Sequence, residues 1–394
     1  MIEEKSRGLR ILLVIDSYPP VLGGSEIEAQ RVSSALIRRG HTVQVLCAGG
    51  SLMPQVRDWT DPEGVPVRIL TRKSTGRRKD MAFAIRVAWE IWKGRKQYDL
   101  VYFLMQGLQV ATGLPTTRFL RKPAIMKISG SGVIGLMRRS RIGRLELKWL
   151  RDWNVPLIVL NEGMIQEALD ESFSRDQLIW MPNPVDVENY RPAIPGEVAA
   201  WRERHGIPLE AKVLLYVGRL GQEKGLQPLM RGFASVMDRV PDALLVLVGG
   251  GPIKRELQAL ARNLDPKGNR IRFQGWIPTT EVPFWLRSSD VFALTSPNEG
   301  FSCALLEAMS TALPSVVSSI PANLQLIDHG IHGLTVTWDQ DQAIGESMFN
   351  LLTDCGARQR MGNAARRRVL ENYSTEKVLQ LYEETFGRVV AGGK

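Results

Sequence analysis

The chain reads as an α/β protein made of two doubly wound domains, each a parallel sheet covered by helices, and three observations point there. Its 394 residues exceed what one hydrophobic core usually organises. Apolar runs of strand length alternate with amphipathic stretches of helix length almost throughout, the pattern of parallel sheets with helical crossovers. The alternation breaks once, at the proline-spaced segment from Met181 to Pro195, which sustains neither helix nor ladder and reads as a linker, and then restarts.

In the first half the expected strands are Arg10–Ile15, Thr42–Ala48, Asp99–Phe103, Ala124–Ile128 and Leu157–Leu160, with helices over Glu26–Arg39, Met81–Lys96 and Leu136–Arg151. After the linker the expected strands are Val213–Val217, Ala243–Val248, Ile271–Phe273, Val291–Leu294 and Ser315–Ser318, with helices over Leu226–Val240 and Phe301–Thr311. Ligands of doubly wound sheets sit at the carboxyl ends of the strands, so chemistry is expected in a cleft between the two domains.

Composition removes several classes. With 44% hydrophobic and 23% charged residues the chain has an ordinary globular make-up. No apolar run approaches the roughly 20 residues of a membrane-spanning helix. The charged start, Met1 to Arg10, leads into the short run Ile11–Ile15 and then Asp16, which suits a first strand rather than a signal peptide. Cys47, Cys303 and Cys355 are odd in number, far apart and without CxxC spacing, so a reducing, cytoplasmic setting and no metal framework are expected. The net charge of +10 is unevenly placed: from Arg68 to Arg151 there are twenty Lys or Arg against four acids. A positive field confined to one region points to an anionic surface as partner.

Three segments carry candidate chemistry. In Ser296-Pro-Asn-Glu-Gly-Phe-Ser-Cys-Ala-Leu-Leu-Glu-Ala-Met a buried strand gives way to a loop and then to a helix near Phe301. The first amides of that helix lack intrahelical acceptors and carry the positive end of its dipole, which suits a phosphate or a sugar hydroxyl. Glu299 precedes the helix and Glu307 lies about two turns in; because helical side chains lean toward the N-terminus, both can address one ligand. The bland alternative is one dipole-paired and one solvated glutamate. In Tyr216-Val-Gly-Arg-Leu-Gly-Gln-Glu-Lys-Gly, Gly218 permits a close turn, while Arg219 and Lys224 can reach an anion above the sheet. Two fixed cations would stabilise charge developing on a leaving diphosphate without a metal. Here the bland alternative is a surface pair such as Glu223 with Lys224. In Pro19-Pro-Val-Leu-Gly-Gly-Ser-Glu, Gly23 and Gly24 allow a ligand close to the backbone and Ser25 is placed to cap the next helix.

Together these segments resemble family 4 of the retaining glycosyltransferases, with the GT-B fold of two Rossmann-like domains. The resemblance covers essentially the whole chain, in order: Gly23-Gly24; Gly218-Arg219 with Lys224-Gly225; Gly249-Gly-Gly-Pro252; then Glu299-Gly-Phe with Glu307-Ala-Met. It implies an acceptor-side domain over 1–190, a nucleotide-sugar domain over 191–373, and a last helix, within 374–394, crossing back to the first domain. It implies that Arg219 and Lys224 bind the donor pyrophosphate and Glu307 the ribose. Glu299 and the amides of Phe301, Ser302 and Cys303 would hold the transferred sugar, with base contacts near Trp276 and Ile277. A UDP-sugar donor, retention without a protein nucleophile, and no cofactor or metal are further implications.

The chain departs from the family pattern at several positions. The family's histidine after Ala124–Ile128 is replaced in Met126-Lys-Ile-Ser-Gly, which puts Ser129 and Gly130 on the acceptor and sugar side. Ala312 stands for a family glycine and Gln325 for a family glutamate, which touches sugar identity more than nucleotide binding. Two rivals share the architecture: a nucleotide-sugar epimerase, and a silent relative that binds nucleotide or glycan without turnover. A third rival is dinucleotide binding, because Gly130-Ser-Gly-Val-Ile-Gly135 fits GxGxxG between a strand and a helix.

The stretches 81–96 and 136–151 alternate apolar residues (Phe83, Trp89, Trp92; Leu136, Ile142, Leu145, Trp149) with basic ones, among them Arg138, Arg141, Arg144, Lys148 and Arg151. Basic amphipathic helices with tryptophan suit an anionic membrane surface, at the inner face of a membrane for a cytoplasmic protein. Equally, the apolar stripes would pack on the sheet while the charges stay solvated. The expected acceptor is a glycan or lipid-linked saccharide; nucleic acid is not expected, because the basic residues lack a binding module.

Overall fold

The computed structural model describes residues 8–20, 23–50, 53, 54, 56–71 and 77–392. Residues 1–7, Val21 and Leu22 of the loop after the first strand, and Arg72 and Lys73 of the basic stretch lie outside the described residues. Contacts divide the chain into two units, one running to Pro184 and resuming at Thr375, the other spanning Val185–Ser374. The sequence reading placed these borders at 190 and 373. They fall earlier and later because Val185 bridges Ser374 and its N–H donates to the Tyr373 carbonyl at 3.0 Å, which fastens both passages to the second unit.

The first unit contains β1 (Arg10–Val14), α1 (Gly24–Arg38), β2 (Thr42–Ala48), β3 (Asp58–Thr60), β4 (Pro66–Thr71), α2 (Arg77–Lys93) and β5 (Leu100–Phe103). It continues with α3 (Leu108–Phe119), β6 (Ala124–Lys127), α4 (Val133–Arg139), α5 (Arg141–Asp152), β7 (Leu157–Val159), α6 (Glu162–Asp170) and β8 (Leu178–Trp180). The strands form one sheet in the order β3-β4-β2-β1-β5-β6-β7-β8, parallel except for the β3–β4 pair. From β4 to β8 every parallel crossover steps the same way across the sheet. Right-handed connection therefore puts α2, α3, α5 and α6 on one face and α1, whose crossover steps the other way, on the opposite face.

The expected helix over Leu136–Arg151 is two helices. The Ser140 hydroxyl accepts the Gly143 N–H at 2.9 Å and caps α5, and a side chain at Gly143 would collide with the Met137 carbonyl. Ser25 is likewise no cap: α1 begins at Gly24 with Gly23 as its N-cap. In place of one free linker, the run Met181–Val185 is buried. Lys127, itself buried at the end of β6, pairs with buried Glu28 of α1 and donates to Asn183 Oδ1 at 2.7 Å. Glu28 also accepts from Tyr382 at 2.9 Å. Removing either charge would leave the other unpaired in the interior, a cost of about 3–5 kcal/mol.

The second unit contains α7 (Glu197–Arg204), β9 (Lys212–Val217), α8 (Leu226–Arg239), β10 (Ala243–Val248), α9 (Lys254–Leu264), β11 (Ile271–Gly275), α10 (Val282–Arg287) and β12 (Val291–Leu294). There follow α11 (Cys303–Ser310), β13 (Ser315–Ser318), α12 (Pro321–Leu324), β14 (Gly333–Val336), α13 (Asp341–Thr353) and α14 (Cys355–Asn372). The sheet order is β11-β10-β9-β12-β13-β14, with every pairing parallel. The β10 run Ala243–Val248 is buried throughout, as a central strand covered on both faces must be. The last helix, α15 (Thr375–Gly392), belongs to the first unit, where Tyr382 and Phe386 pack on Tyr102 of β5.

Candidate active site

In the second sheet β9 leads leftward to β10 and β11, whereas β12 leads rightward to β13 and β14. The direction of winding thus reverses between the adjacent strands β9 and β12, and the loops leaving their carboxyl ends open a crevice there. Arg219 and Lys224 leave β9, while Glu299 leaves β12. Lys224 Nζ lies 2.7 Å from Glu299 Oε1, with side chains only 20% and 12% exposed. The two elements that sequence spacing singled out separately meet at this contact. The surface pairing considered for Lys224 with Glu223 does not form; Glu223 instead takes Arg219, at 2.5 Å and well exposed.

The loop that presents the two cations is tightly specified. Gly225, with φ +61, caps α8 in the left-handed region, and a Cβ there would collide with the Thr295 carbonyl. Thr295 Oγ1 donates to the Gly225 carbonyl at 2.8 Å and so clamps the β12 exit to the start of α8. Tyr216, the penultimate residue of β9, donates its hydroxyl to the Arg219 carbonyl at 2.9 Å. Its phenol is held above the ordinary range, first by burial and then by the Glu299 and Glu223 carboxylates, while Arg219 acts in the opposite sense. Arg219 and Glu299 therefore both act electrostatically on one phenol. Tyr216 and Thr295 received no role from the sequence, where a strand-end tyrosine and a threonine after a strand look like core; the only available signal was their place beside the Gly218 and Ser296 loops.

Gly218 and Gly249 follow β9 and β10, and a side chain on Gly249 would strike the Gly218 carbonyl. Gly251 is closed in by Leu220 in the same way. Beyond them Gly249 N–H donates to the Gly275 carbonyl at 2.8 Å, which brings the end of β11, with exposed Trp276 and buried Ile277, alongside. Arg219, Gly218, Ile277 and Glu299 thus all lie on the carboxyl edge of one sheet.

Helix α11 starts at Cys303, two residues later than expected. Ser302 caps it, its hydroxyl accepting the Leu305 N–H at 3.2 Å, so Phe301 stays in the loop and is buried against Tyr373. Glu307 is consequently about one turn into the helix rather than two, and it is buried. A carboxylate there is held near the helix start, where hydroxyl groups of a ligand would find an acceptor.

In the first unit the winding reverses between β1 and β5. Gly23 and Gly24 follow β1; the Glu26 side chain fills the space over Gly23, whereas nothing stands within 4 Å of a Cβ on Gly24. Ser17 donates to Glu26 at 2.5 Å. Burial, reinforced by the Asp80 and Glu26 carboxylates, pushes Asp16 up to about 6. Ser129 Oγ donates to Gln106 Oε1 at 2.9 Å, and Gly130 follows it, half-buried. The GxGxxG run does not make a dinucleotide loop. The Gly132 N–H is taken by the Glu167 carboxylate at 2.6 Å, which puts negative charge where a pyrophosphate would need to sit, and α4 has only 7 residues. It also follows β6 rather than the first strand. Among the described residues no group of three or more His, Cys, Asp or Glu is placed to hold a metal ion, and no helix is long and apolar enough to cross a membrane.

Comparison with known proteins matches these two units separately. The family model described as Glycosyltransferase Family 4 matches residues 22–189, and the one described as Glycosyl transferases group 1 matches residues 197–368. An uncharacterized glycosyltransferase of Methanocaldococcus jannaschii is 24% identical over 382 residues, which is 94% of this chain and 96% of that protein. A D-inositol 3-phosphate glycosyltransferase of Corynebacterium urealyticum is 31% identical over 221 residues; the match takes in 54% of this chain and about half, 52%, of that protein. HepE of Anabaena, solved in complex with UDP and glucose, superimposes with a TM-score of 0.80 at 19% identity, covering 96% of this chain and all of that one.

Proposed function

Because the chain belongs to glycosyltransferase family 4 and is a transferase of the GT-B fold, we propose that it moves a hexose-type sugar from a UDP-sugar to a glycan or lipid-linked acceptor, with retention and without a metal. The observation that carries the reading is the Lys224–Glu299 contact at the point where the second sheet reverses its winding, beside the start of α11. Lys224 and Arg219 hold the donor diphosphate, and Glu307 accepts from the ribose hydroxyls. Glu299 and the backbone at Phe301, Ser302 and Cys303 orient the sugar; the base lies against Ile277. UDP is favoured because a neighbour in fold is solved with UDP and glucose.

In the reaction the bond from the anomeric carbon to the β-phosphate oxygen breaks, and the electron pair stays on the diphosphate. The acceptor oxygen attacks from the face that the leaving group vacates and passes its proton to that phosphate oxygen. Negative charge accumulates on the diphosphate as the bond lengthens, and the two cations stabilise it without reorganising. Ser129 and Gly130 serve the acceptor side. The work is done in the cytoplasm, at the inner face of a membrane; the cysteines Cys47, Cys303 and Cys355 are all free thiols.

The test is a thermal-shift and turnover series with UDP-, GDP- and ADP-sugars. Stabilisation by UDP-sugars, with free nucleotide released only when acceptor is added, is the expected result. Interconversion of the donor sugar without acceptor would identify an epimerase instead. Tight binding with no turnover under any acceptor would identify a silent relative.

A further inference from the structure

The helix layer formed by α2, α3 and α5 on one face of the first sheet shows a surface that the transfer reaction does not use. On α2 the side chains at 81, 85, 89 and 92 follow helical spacing down one stripe, and all four are exposed apolar residues: Met81, Ile85, Trp89 and Trp92. The opposite side of α2, with Phe83, Ala84, Val87 and Ile91, supplies the core contact, so the stripe is surplus to folding. Together with Pro115 and Phe119 of α3 it lines an open apolar groove, and Phe119 is 82% exposed. Next to α3 packs α5, which with α4 turns Leu136, Ile142 and Leu145 outward as well. The reading in which these apolar stripes pack on the sheet holds for Phe83 but fails for Trp89, Trp92, Leu136, Ile142 and Leu145, while Trp149 is half-buried and stacks on Trp153.

Cations ring this apolar surface. Arg95 lies over the Trp92 ring, 5.0 Å from its centre, and Arg118 and Arg121 flank Phe119. On α4 and α5, Arg139, Arg141 and Arg144 are exposed and have no acidic partner among the described residues. Of the four acids on α2 and α5, Glu90 is buried between Arg57 and Arg68, Glu146 is buried and Asp152 is paired with Lys148, while Asp80 at the start of α2 is half-buried. Exposed tryptophans amid arginines, on a surface where the cations outnumber the acids and Asp152 and Glu171 are each taken by a cation, match the interfacial depth and sign of an anionic bilayer.

We infer that this α2–α3–α5 face docks on an anionic membrane surface, with Ile85, Trp89, Trp92 and Phe119 entering the headgroup region and the arginines lying at the phosphates. Trp89 also lines a cavity of about 450 Å³ at the carboxyl ends of β2 and β4, with Arg57, Arg86, Thr71 and the carboxylate of Glu90. A membrane-borne molecule therefore meets that cavity from the docked side. The inference deepens the lipid-linked acceptor of the proposed function but does not need the transferase reaction to be measured.

The test uses the full chain and vesicles of phosphatidylcholine with or without about one third phosphatidylglycerol, separated by flotation. Binding is expected to the anionic vesicles only, and to fall about tenfold or more as salt rises from about 0.05 to 0.3 M. The pair Trp89→Ala with Trp92→Ala is expected to weaken partitioning about tenfold, and Arg139→Glu with Arg141→Glu to weaken it at least as much. Calorimetric binding of UDP should be unchanged in both pairs, which separates this test from the donor reading. Failure to float with anionic vesicles, or equal binding to neutral ones, overturns the inference. So does sedimentation as a dimer that the tryptophan pair dissolves, since the stripe would then meet a second copy.

Discussion

Replacing Lys224 by alanine probes the central contact, and its size can be worked out from the geometry. The ammonium sits 2.7 Å from Glu299 with both side chains mostly buried. Removing it leaves a largely desolvated carboxylate with one partner fewer, which costs about 1–3 kcal/mol of folding stability. Under the proposed reaction the same ammonium also contacts the diphosphate. A hydrogen bond to a charged group is worth about 1.5–3 kcal/mol, and deleting one fixed donor aimed at developing charge about 2.7–4 kcal/mol. The part present only in the transition state lowers kcat, so kcat/KM is expected to fall about 10²- to 10³-fold. Steady-state transfer and urea unfolding on the same preparation measure both effects.

The companion variant Glu299→Gln closes a double-mutant cycle. If the pair contributes as its geometry indicates, the stability losses of Lys224→Ala and Glu299→Gln are non-additive by about 1–2 kcal/mol. If the pair were merely structural, the cycle would show that coupling while kcat/KM in Lys224→Ala stayed within tenfold of the parent. That combination refutes the diphosphate role.

Three further outcomes follow from separate parts of the structure. Glu307→Ala should weaken binding of the nucleoside diphosphate about 10- to 100-fold by calorimetry, with thermal unfolding of the same sample as the check that it is folded; an unchanged affinity would remove the ribose role. Gly225→Ala forces a side chain into a φ of +61 and against the Thr295 carbonyl, so it should lower stability by about 2 kcal/mol or more, read as an earlier urea midpoint. Glu146 is pushed up to about 7 by burial, against the pull of the Gly107 and Ala111 amides. Its folded pKa is raised, so its contribution to stability is fully present below the unfolded value near 4.5 and is lost as pH rises through about 7. Glu146→Gln should therefore match the parent near pH 4 and exceed it by about 1–3 kcal/mol near pH 8; a difference that does not change with pH would contradict this.

The doubly wound architecture was legible because buried parallel strands are continuous apolar runs: Thr42–Ala48, Ala243–Val248, Val291–Leu294 and Ser315–Ser318 stand where their hydrophobicity puts them. What escaped were elements whose pattern is short or mixed. β3 and β8 have three residues each, too few for a period to show. Helix α3 carries Pro115 and Thr residues on a weakly amphipathic sequence, and tertiary packing overrides its poor local preference. The break at Ser140 was hidden because Leu136, Ile142 and Leu145 looked like one core stripe, whereas the capping hydroxyl and Gly143 turn the chain. For the site, spacing alone linked Glu299 to Glu307 but could not link Glu299 to Lys224, 75 residues away. That contact follows from β9 and β12 being neighbours, a fact of sheet order.

Sheet order also explains why each cation arrives with its own carboxylate. Arg219 with Glu223 and Lys224 with Glu299 make four charged side chains that sum to zero. An empty site holding two unpaired cations in a half-buried crevice would cost stability through repulsion and desolvation. The two pairs differ in how readily they yield. The Arg219 pair is exposed and worth at most about 1 kcal/mol, so a phosphate can take the guanidinium at little cost. Lys224 has three donors in its ammonium, so it can keep Glu299 and still donate a hydrogen bond to a phosphate oxygen. Glu299 would then be held against the diphosphate's attached sugar by the same cation that binds the diphosphate. Donor affinity should accordingly drop with rising salt less steeply than two free cations would give, because one of them is already neutralised before the donor arrives.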